Sequence, residues 1–264
     1  MNKWKKILIL STVAVLIALY YILSAFYGPQ LIINAIYNDD IKMLNMLLFL
    51  NPFLLQSNTE AFGTPLHSAV FRNKKDIVSL LVFKGAHINA KDKQGDTPLH
   101  RAAETGNIEI IRFLLSHGAN INEKNKTGST PLYLACGQGN FEATYILITS
   151  GADVNIYNTS RITPLMVAVI SNHVKISGFL IASGAMINTQ NSTNGNTPLH
   201  FASEKGNINL VKLLIKHSAD LNILNYENKK PIDLALKNNH KKAADILGSI
   251  PKKGYQEDSH KNIR

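Results

Sequence analysis

Apolar residues recur along this chain in short clusters with helical spacing, separated by polar segments rich in Gly, Asn and Asp. In the recurring cluster, a Pro-Leu pair is followed three residues after the Leu by Ala, which places Leu and Ala on one face of a helix. The prolines of this cluster are spaced by 33, 33, 33, 34 and 33 residues, at Pro65, Pro98, Pro131, Pro164, Pro198 and Pro231. A fixed period of this length indicates a stacked array of repeats.

Each repeat carries its own start and stop signals. Thr before Pro is a favourable N-cap followed by the first helical position, so the sequence predicts a helix at each Thr-Pro. Eight residues after each Pro stands a residue that tolerates the left-handed conformation at a helix end: Asn73, Gly106, Gly139, Asn172, Gly206 or Asn239. A second, more apolar helix follows, and it closes at Gly85, Gly118, Gly151, Gly184 or Ser218. A polar, turn-forming connector such as "AHINAKDKQGD" completes the unit.

The "G-x-TPLH-x-A" box, the "GN" turn and the "GA-x-[IV]-N" exit resemble the ankyrin repeat, and the resemblance extends from about residue 30 to residue 250. It implies an all-α solenoid that is right-handed and slightly curved. It also implies that the loop tips and the first helix of each repeat line a concave face that binds other proteins.

The two ends depart from the repeat pattern, as capping repeats do. The segment "LIINAIYNDDIKMLNMLLFLNP" keeps the spacing without Thr-Pro and is interpreted as a degenerate first repeat. The last repeat gains a polar outer face through Lys237, His240, Lys241 and Lys242. The predicted organisation is a cytoplasmic N-terminus (1–6), a transmembrane helix (7–27), about seven repeats over 28–250 (28–59, 60–92, 93–125, 126–158, 159–191, 192–225 and 226–250) and a flexible polar tail (251–264).

Residues 7–27 carry no charge and are long enough to cross the hydrocarbon core of a bilayer. Secretory signal peptides have shorter apolar regions, so a single-pass signal anchor is favoured. A cleaved leader that releases a secreted ankyrin effector is the alternative. Lysines precede the span and the first charges after it are acidic, so we expect a cytoplasmic N-terminus and extracytoplasmic repeats, which in a bacterium lie in the periplasm.

The net charge of +10 is shared between the ends of the chain and the repeats. Three lysines lie before the apolar run, and the tail from Pro251 has four bases against two acids. The repeats therefore hold a scattered excess of bases without the clustering that phosphate binding needs. We expect no nucleic-acid partner, and we expect a monomer that binds an unidentified protein partner.

The histidines of the repeated motif are the main candidates for chemistry. Their position holds His67, His100, Tyr133, Met166, His200 and Asp233 in successive repeats. Adjacent repeats stack about 10 Å apart, whereas each ligand of one zinc ion lies about 2.1 Å from the metal. The resemblance implies that these side chains form hydrogen bonds within the turn, and the single cysteine, Cys136, is expected to be a small packed residue. We predict no enzyme activity, no metal site and no cofactor.

A binding surface is expected among the positions that the repeat leaves free. The candidates on first helices and loops are Arg101, Glu104, Arg161, Ile162, Ile170, Phe201 and Glu204. We expect Ile162, Ile170 and Phe201 to be exposed and to combine with Arg161 into the mixture of residues that favours binding hot spots. Packing of Phe201 between helices is the alternative. Asp96 and Asn196 belong to the same set of free loop positions.

Overall fold

The computed structural model describes residues 27–59 and 63–249. Its helices are α1 (27–37), α2 (Ile41–Leu50), α3 (Pro65–Phe71), α4 (Lys75–Phe83), α5 (Pro98–Thr105), α6 (Ile108–Ser116), α7 (Pro131–Gln138), α8 (Phe141–Thr149), α9 (Pro164–Ile170), α10 (Val174–Ala182), α11 (Pro198–Glu204), α12 (Ile208–Lys216), α13 (Pro231–Lys237) and α14 (Lys241–Gly248). A short 3-10 helix, Pro52–Gln56, follows α2. Within the two described ranges, strand-like pairing is limited to one bridge between Thr59 and Gly63. The described part is an all-α helical repeat, as predicted.

The helices form two layers. From α3 to α13, the first helix of each repeat contacts the first helix of the next repeat, and the second helices from α4 to α14 contact one another in the same way. Each first helix also packs on its own second helix. Because each repeat packs on its neighbours, the core runs along the array as one continuous cluster.

Six of the first helices begin at the repeat prolines, as the sequence predicts. The residue before each proline has an extended backbone, and in five repeats that residue is Thr. The hydroxyl groups of Thr130 and Thr163 accept the backbone N–H three residues further on. Such caps satisfy the amide groups that a helix start leaves free.

The predicted turn residues adopt the left-handed conformation after both helices of the repeat unit. Asn73, Gly106, Gly139, Asn172, Gly206 and Asn239 all have positive φ, and so do the residues that close the second helices. At Gly106 a Cβ atom would also lie 3.0 Å from the side chain of Asn140, which donates to the carbonyl oxygens of Ala103 and Glu104. Glycine at this turn therefore permits both the conformation and the close approach of the next repeat.

The core combines small and branched apolar side chains. The alanine of each motif is fully buried, at Ala69, Ala102, Ala135, Ala168, Ala202 and Ala235, and its small size lets adjacent first helices approach closely. Second helices contribute larger residues, such as Ile110, Ile111 and Leu114 in α6. Burying each of these larger side chains stabilises the fold by roughly 1.5–3 kcal/mol.

The loops between repeats are held by a regular hydrogen-bond pattern. The side chain of an Asp or Asn at the start of each loop accepts backbone N–H groups within the loop, as Asn158 does from Ser160 and Ile162. Backbone hydrogen bonds also join successive loop tips: Lys126 to Gln94, Thr159 to Thr127, Ser192 to Ser160 and Tyr226 to Asn194. The loop tips therefore form a continuous row beside the first helices.

Three segments predicted from the sequence lie wholly or largely outside the described residues. They are the predicted N-terminus (1–6), the predicted span except for Tyr27, and the predicted tail (251–264). Among the helices of the described part, none combines the length and apolarity that crossing a bilayer requires.

Candidate protein-binding surface

Each of the three motif histidines joins its own helix start to the next repeat. Thr97 donates its backbone N–H to Nδ1 of His100 (3.1 Å), and Nε2 of the same ring lies 3.0 Å from the carbonyl oxygen of Ser129. His67 and His200 repeat this arrangement with the carbonyl groups of Asp96 and Lys229. Because Nδ1 accepts a backbone N–H, the proton is on Nε2, which donates to the carbonyl. The predicted hydrogen-bonding role is confirmed, and it extends across the boundary between repeats.

These histidines are held in the neutral form. Burial lowers the pKa of His67, His100 and His200, although the backbone carbonyl at Nε2 acts in the opposite direction. Protonation would also remove the acceptor at Nδ1 and set two N–H groups against each other. The three imidazoles therefore serve the fold of the array.

Arg101, a predicted binding residue, lies at the centre of an ion-pair network. Its guanidinium is 2.7 Å from the carboxylate of Asp92, 3.3 Å from that of Asp96 and 3.1 Å from that of Glu104. Burial alone would raise the pKa of Asp92, but the hydrogen bond and charge of Arg101 hold it below its usual value. The side chain of Asp92 is only 4% exposed, so Arg101 neutralises a buried carboxylate.

The neighbouring repeats explain why Arg101 is found in one repeat. The positions of Asp92 and Arg101 are occupied by Asn125 and Leu134 in the next repeat, where the loop start is uncharged and needs no cation. Arg101 and Glu104 thus form ion pairs within the chain itself. Their role in binding another protein stays a prediction.

Arg161 stands out by its backbone. It has a φ of +54°, whereas three equivalent loop positions hold Gly95, Gly128 and Gly195 and a fourth holds Asn228, residue types that adopt positive φ more readily. A left-handed conformation costs a residue with a Cβ about 1–2 kcal/mol. The Arg161 guanidinium lies 5.5 Å from the ring centre of Tyr157, and the ammonium of Lys124 lies 5.3 Å from it. We call Lys124, Tyr157 and Arg161 the loop-tip cluster; all three residues are exposed.

The predicted exposure of the apolar candidates is corrected by the structure. Ile162, Ile170 and Phe201 are half-buried, and Phe201 packs against the core, which is the alternative that the sequence left open. Glu204 is half-buried as well. The prediction that Asp96 and Asn196 are free loop positions is also wrong, because both residues are buried. Both side chains accept hydrogen bonds from the next loop, from Asn125 and Asn225 respectively.

Sequence reasoning missed a pocket of about 270 Å³ between α1 and α3. Its lining includes apolar Ile33, Ile36 and Phe71 and polar Asn34, Ser68 and Arg72. The Arg72 guanidinium lies 4.4 Å from the ring centre of Tyr37, another lining residue. Ser68 Oγ is buried and has no hydrogen-bond partner among the described residues. The sequence signal for this pocket is Phe71, an aromatic residue at the position that Glu104 and Glu204 occupy in other repeats. Tyr37 lies in the degenerate first repeat, where the motif gives no signal.

Comparison with known families agrees with this geometry. A family model for ankyrin repeats matches this chain in three copies, at residues 32–125, 120–191 and 179–256. The chain belongs to the ankyrin-repeat family. An ankyrin repeat protein of Rickettsia bellii (strain RML369-C) is 42% identical over 53 residues, which are 20% of this chain and 32% of that relative. The chain thus covers about a third of this relative's length. Ankyrin repeats indicate a protein–protein interaction module.

The single cysteine of this ankyrin array lies in the core. Cys136 is fully buried, as predicted, and burial raises the pKa of its thiol to about 12. It is therefore protonated at neutral pH and shielded from substrates. Between residues 27 and 249, omitting 60–62, three or more His, Cys, Asp or Glu side chains nowhere converge into a possible metal site.

Proposed function

We propose that this ankyrin protein is a non-catalytic protein-binding module that a single span, residues 7–27, displays on the extracytoplasmic side of a membrane. Its protein partner binds the row of loop tips and the adjoining first helices, with no enzyme chemistry and no nucleic acid. The module acts as a monomer. The observation that carries the binding proposal is the conformation of Arg161.

Arg161 retains a left-handed backbone that glycine would adopt without strain. Such strain is typical of residues kept for function. The side chain that this strain preserves lies in the loop-tip cluster, beside exposed Tyr157. Arg and Tyr are two of the side chains that most often dominate protein interfaces. This combination supports the loop-tip cluster as the centre of the contact.

The pocket between α1 and α3 supports a second contact for the same partner. It lies at the first-helix layer, and both apolar and polar side chains line it, including the guanidinium of Arg72. An acidic or amide side chain flanked by apolar atoms fits this chemistry, because it can accept from Arg72 while covering Phe71. Ile170 in α9 and Glu204 in α11 remain proposed contacts.

Site-specific photocrosslinking tests the binding surface and captures the partner in the same experiment. A photoreactive phenylalanine analogue is placed at position 161 of the full chain in its native membrane. The matched control carries the analogue at Lys212, an exposed position on the second-helix layer. A discrete protein adduct at 161 and none at 212 supports the proposal. Adducts of equal yield at both positions contradict it.

The topology is tested on spheroplasts of a bacterial host. Added protease should digest the repeats while a cytoplasmic marker stays intact, since the charge bias favours repeats outside the cytoplasm. Repeats that remain protected would overturn this orientation. N-terminal sequencing distinguishes the membrane anchor from a cleaved leader, because a mature chain starting near Phe26 or Pro29 would indicate a secreted effector.

A further inference from the structure

Helix α2 is apolar on both of its faces. Leu44, Leu47 and Leu48 are buried in the core, yet the opposite side exposes Met43, Met46, Phe49 and Leu50. A helix that is apolar all round is expected to be covered on all sides. The terminal helix at the other end of the array behaves differently, because α14 exposes Lys241, Lys242 and Asp245. Helix α2 therefore lacks the polar outer face that α14 presents at the other end of the array.

Three highly exposed aromatic side chains lie at one end of this repeat. Phe49 is 84% exposed, Phe53 82% and Tyr27 64%. The backbone of Gly28 packs on Leu54, since a Cβ atom at Gly28 would lie only 2.5 Å from that side chain. Tyr27 in α1 therefore lies beside the 3-10 helix that carries Phe53. We call Tyr27, Phe49, Leu50 and Phe53 the apolar foot.

The apolar foot is held firmly against the following repeat. Gln56, at the end of the 3-10 helix, donates to the carbonyl oxygen of Gly85 and accepts the backbone N–H of His87. These two hydrogen bonds cross the boundary between repeats. The orientation of the foot is thus fixed relative to the array.

Charges lie at the opposite end of the same repeat. Asp39 and Asp40 occupy the turn between α1 and α2, and Asp39 pairs with Lys74 at 2.9 Å. The only charged residue of α2 is Lys42, in its first turn. Since ten helical residues span about 15 Å, the foot lies about one helix length from these charges. The first repeat is therefore polarised from a charged end to an apolar end.

We propose that the apolar foot lies in the interfacial region of the bilayer, so that the first repeat stands on the membrane with its Asp39–Asp40 turn pointing away. The bilayer is the surface that covers the foot, because Tyr27 is both a foot residue and the last residue of the uncharged run 7–27. Aromatic side chains favour this interfacial region, and apolar surface inserts there when charges stay outside. This inference rests on the membrane display proposed above.

Fluorescence quenching in vesicles tests the placement of the foot. The full chain is reconstituted in vesicles of phosphatidylcholine and phosphatidylglycerol, with an NBD probe on Phe49→Cys or Phe53→Cys. Lys205→Cys is the matched control, because it is exposed in the turn between α11 and α12, at the same end of the helices as the Asp39–Asp40 turn that points away from the membrane. Unsubstituted chain serves as the blank, since Cys136 is buried and unreactive.

The expected result is severalfold quenching of the foot probes by a shallow nitroxide lipid and little quenching by iodide, with the reverse at position 205. Foot probes that iodide quenches in chains that float with the vesicles overturn this inference and leave the membrane display standing. Foot probes shielded from both quenchers, together with disulfide-linked dimers when the unlabelled Phe49→Cys chain is oxidised with copper phenanthroline, show a second copy as the occupant and also overturn it. Chains that fail to float with the vesicles overturn the membrane display itself.

Discussion

The Nε2 atom of His100 lies 3.0 Å from the carbonyl oxygen of Ser129, which belongs to the next repeat. The other ring nitrogen accepts the backbone N–H of Thr97. One imidazole thus completes a helix start and joins two repeats. Because contacts between neighbours carry much of the stability of repeat proteins, this histidine is a structural residue.

Replacing His100 by Ala should lower the free energy of unfolding by about 1–3 kcal/mol, since it leaves a buried N–H and a buried carbonyl without partners. Urea denaturation of the full chain in detergent, followed by circular dichroism, measures this loss. His217→Ala is the control, because that side chain is exposed and its removal should change stability by less than about 0.5 kcal/mol. Equal losses in both variants would contradict the assignment.

Stability should fall as the pH drops below about 6.5, the ordinary pKa of histidine. The folded-state pKa of His67, His100 and His200 is lowered, so the unfolded chain takes up protons first and acid favours unfolding. The contribution is fully present above pH 6.5 and is lost on the way down to the folded-state pKa. Urea midpoints measured from pH 7.5 to 5 should show this slope, and His100→Gln should reduce it. An unchanged slope in that variant would refute the prediction.

Arg101→Leu should destabilise the fold by about 1–3 kcal/mol, because it leaves the buried carboxylate of Asp92 unpaired. Adding Asp92→Asn should recover most of the loss, since the double variant reproduces the Asn125 and Leu134 pair of the next repeat. Thermal denaturation of the four chains forms a double-mutant cycle. Additive losses would show that the two residues are not coupled.

The thiol of Cys136 should react with Ellman's reagent only after unfolding. It is fully buried and burial raises its pKa to about 12, so both access and ionisation are suppressed. Labelling at pH 8 should be at least tenfold faster in denaturing urea than in buffer. Rapid labelling of the folded chain would place this residue at the surface instead.

The sequence predicted the parts of the fold that local chemistry determines. Helix starts follow from Thr-Pro, and turns follow from Gly or Asn at φ above zero, so both could be assigned from residue types at a fixed period. The role of the motif histidines was also predicted in kind. Their link to the next repeat needed the stacking of two units.

The sequence did not predict how the free positions are used. Arg101 differs from the repeat pattern because Asp92 and Asp96 surround it, and these residues meet only when the loop folds back on α5. Phe201 was ambiguous because periodicity tells which face a residue occupies and not how deep the neighbouring repeat buries it. The pocket beside Tyr37 depends on how a degenerate repeat packs on α3, for which the motif gives no rule.

Arg161→Gly separates binding from folding. Glycine relieves the left-handed strain, so the free energy of unfolding should stay equal or rise by up to about 1 kcal/mol. Gly128→Ala at the equivalent position should lower it, because the added Cβ would lie 2.9 Å from the backbone nitrogen of Thr159.

The most direct measurement of the central claim is the affinity of the Arg161→Gly chain for the partner crosslinked at position 161, compared with the unsubstituted chain and with Lys212→Glu. The loss of a hot-spot arginine should weaken binding about tenfold or more, while Lys212→Glu binds as tightly as the unsubstituted chain. A stably folded Arg161→Gly chain with undiminished affinity would contradict the claim that the loop-tip cluster binds the partner.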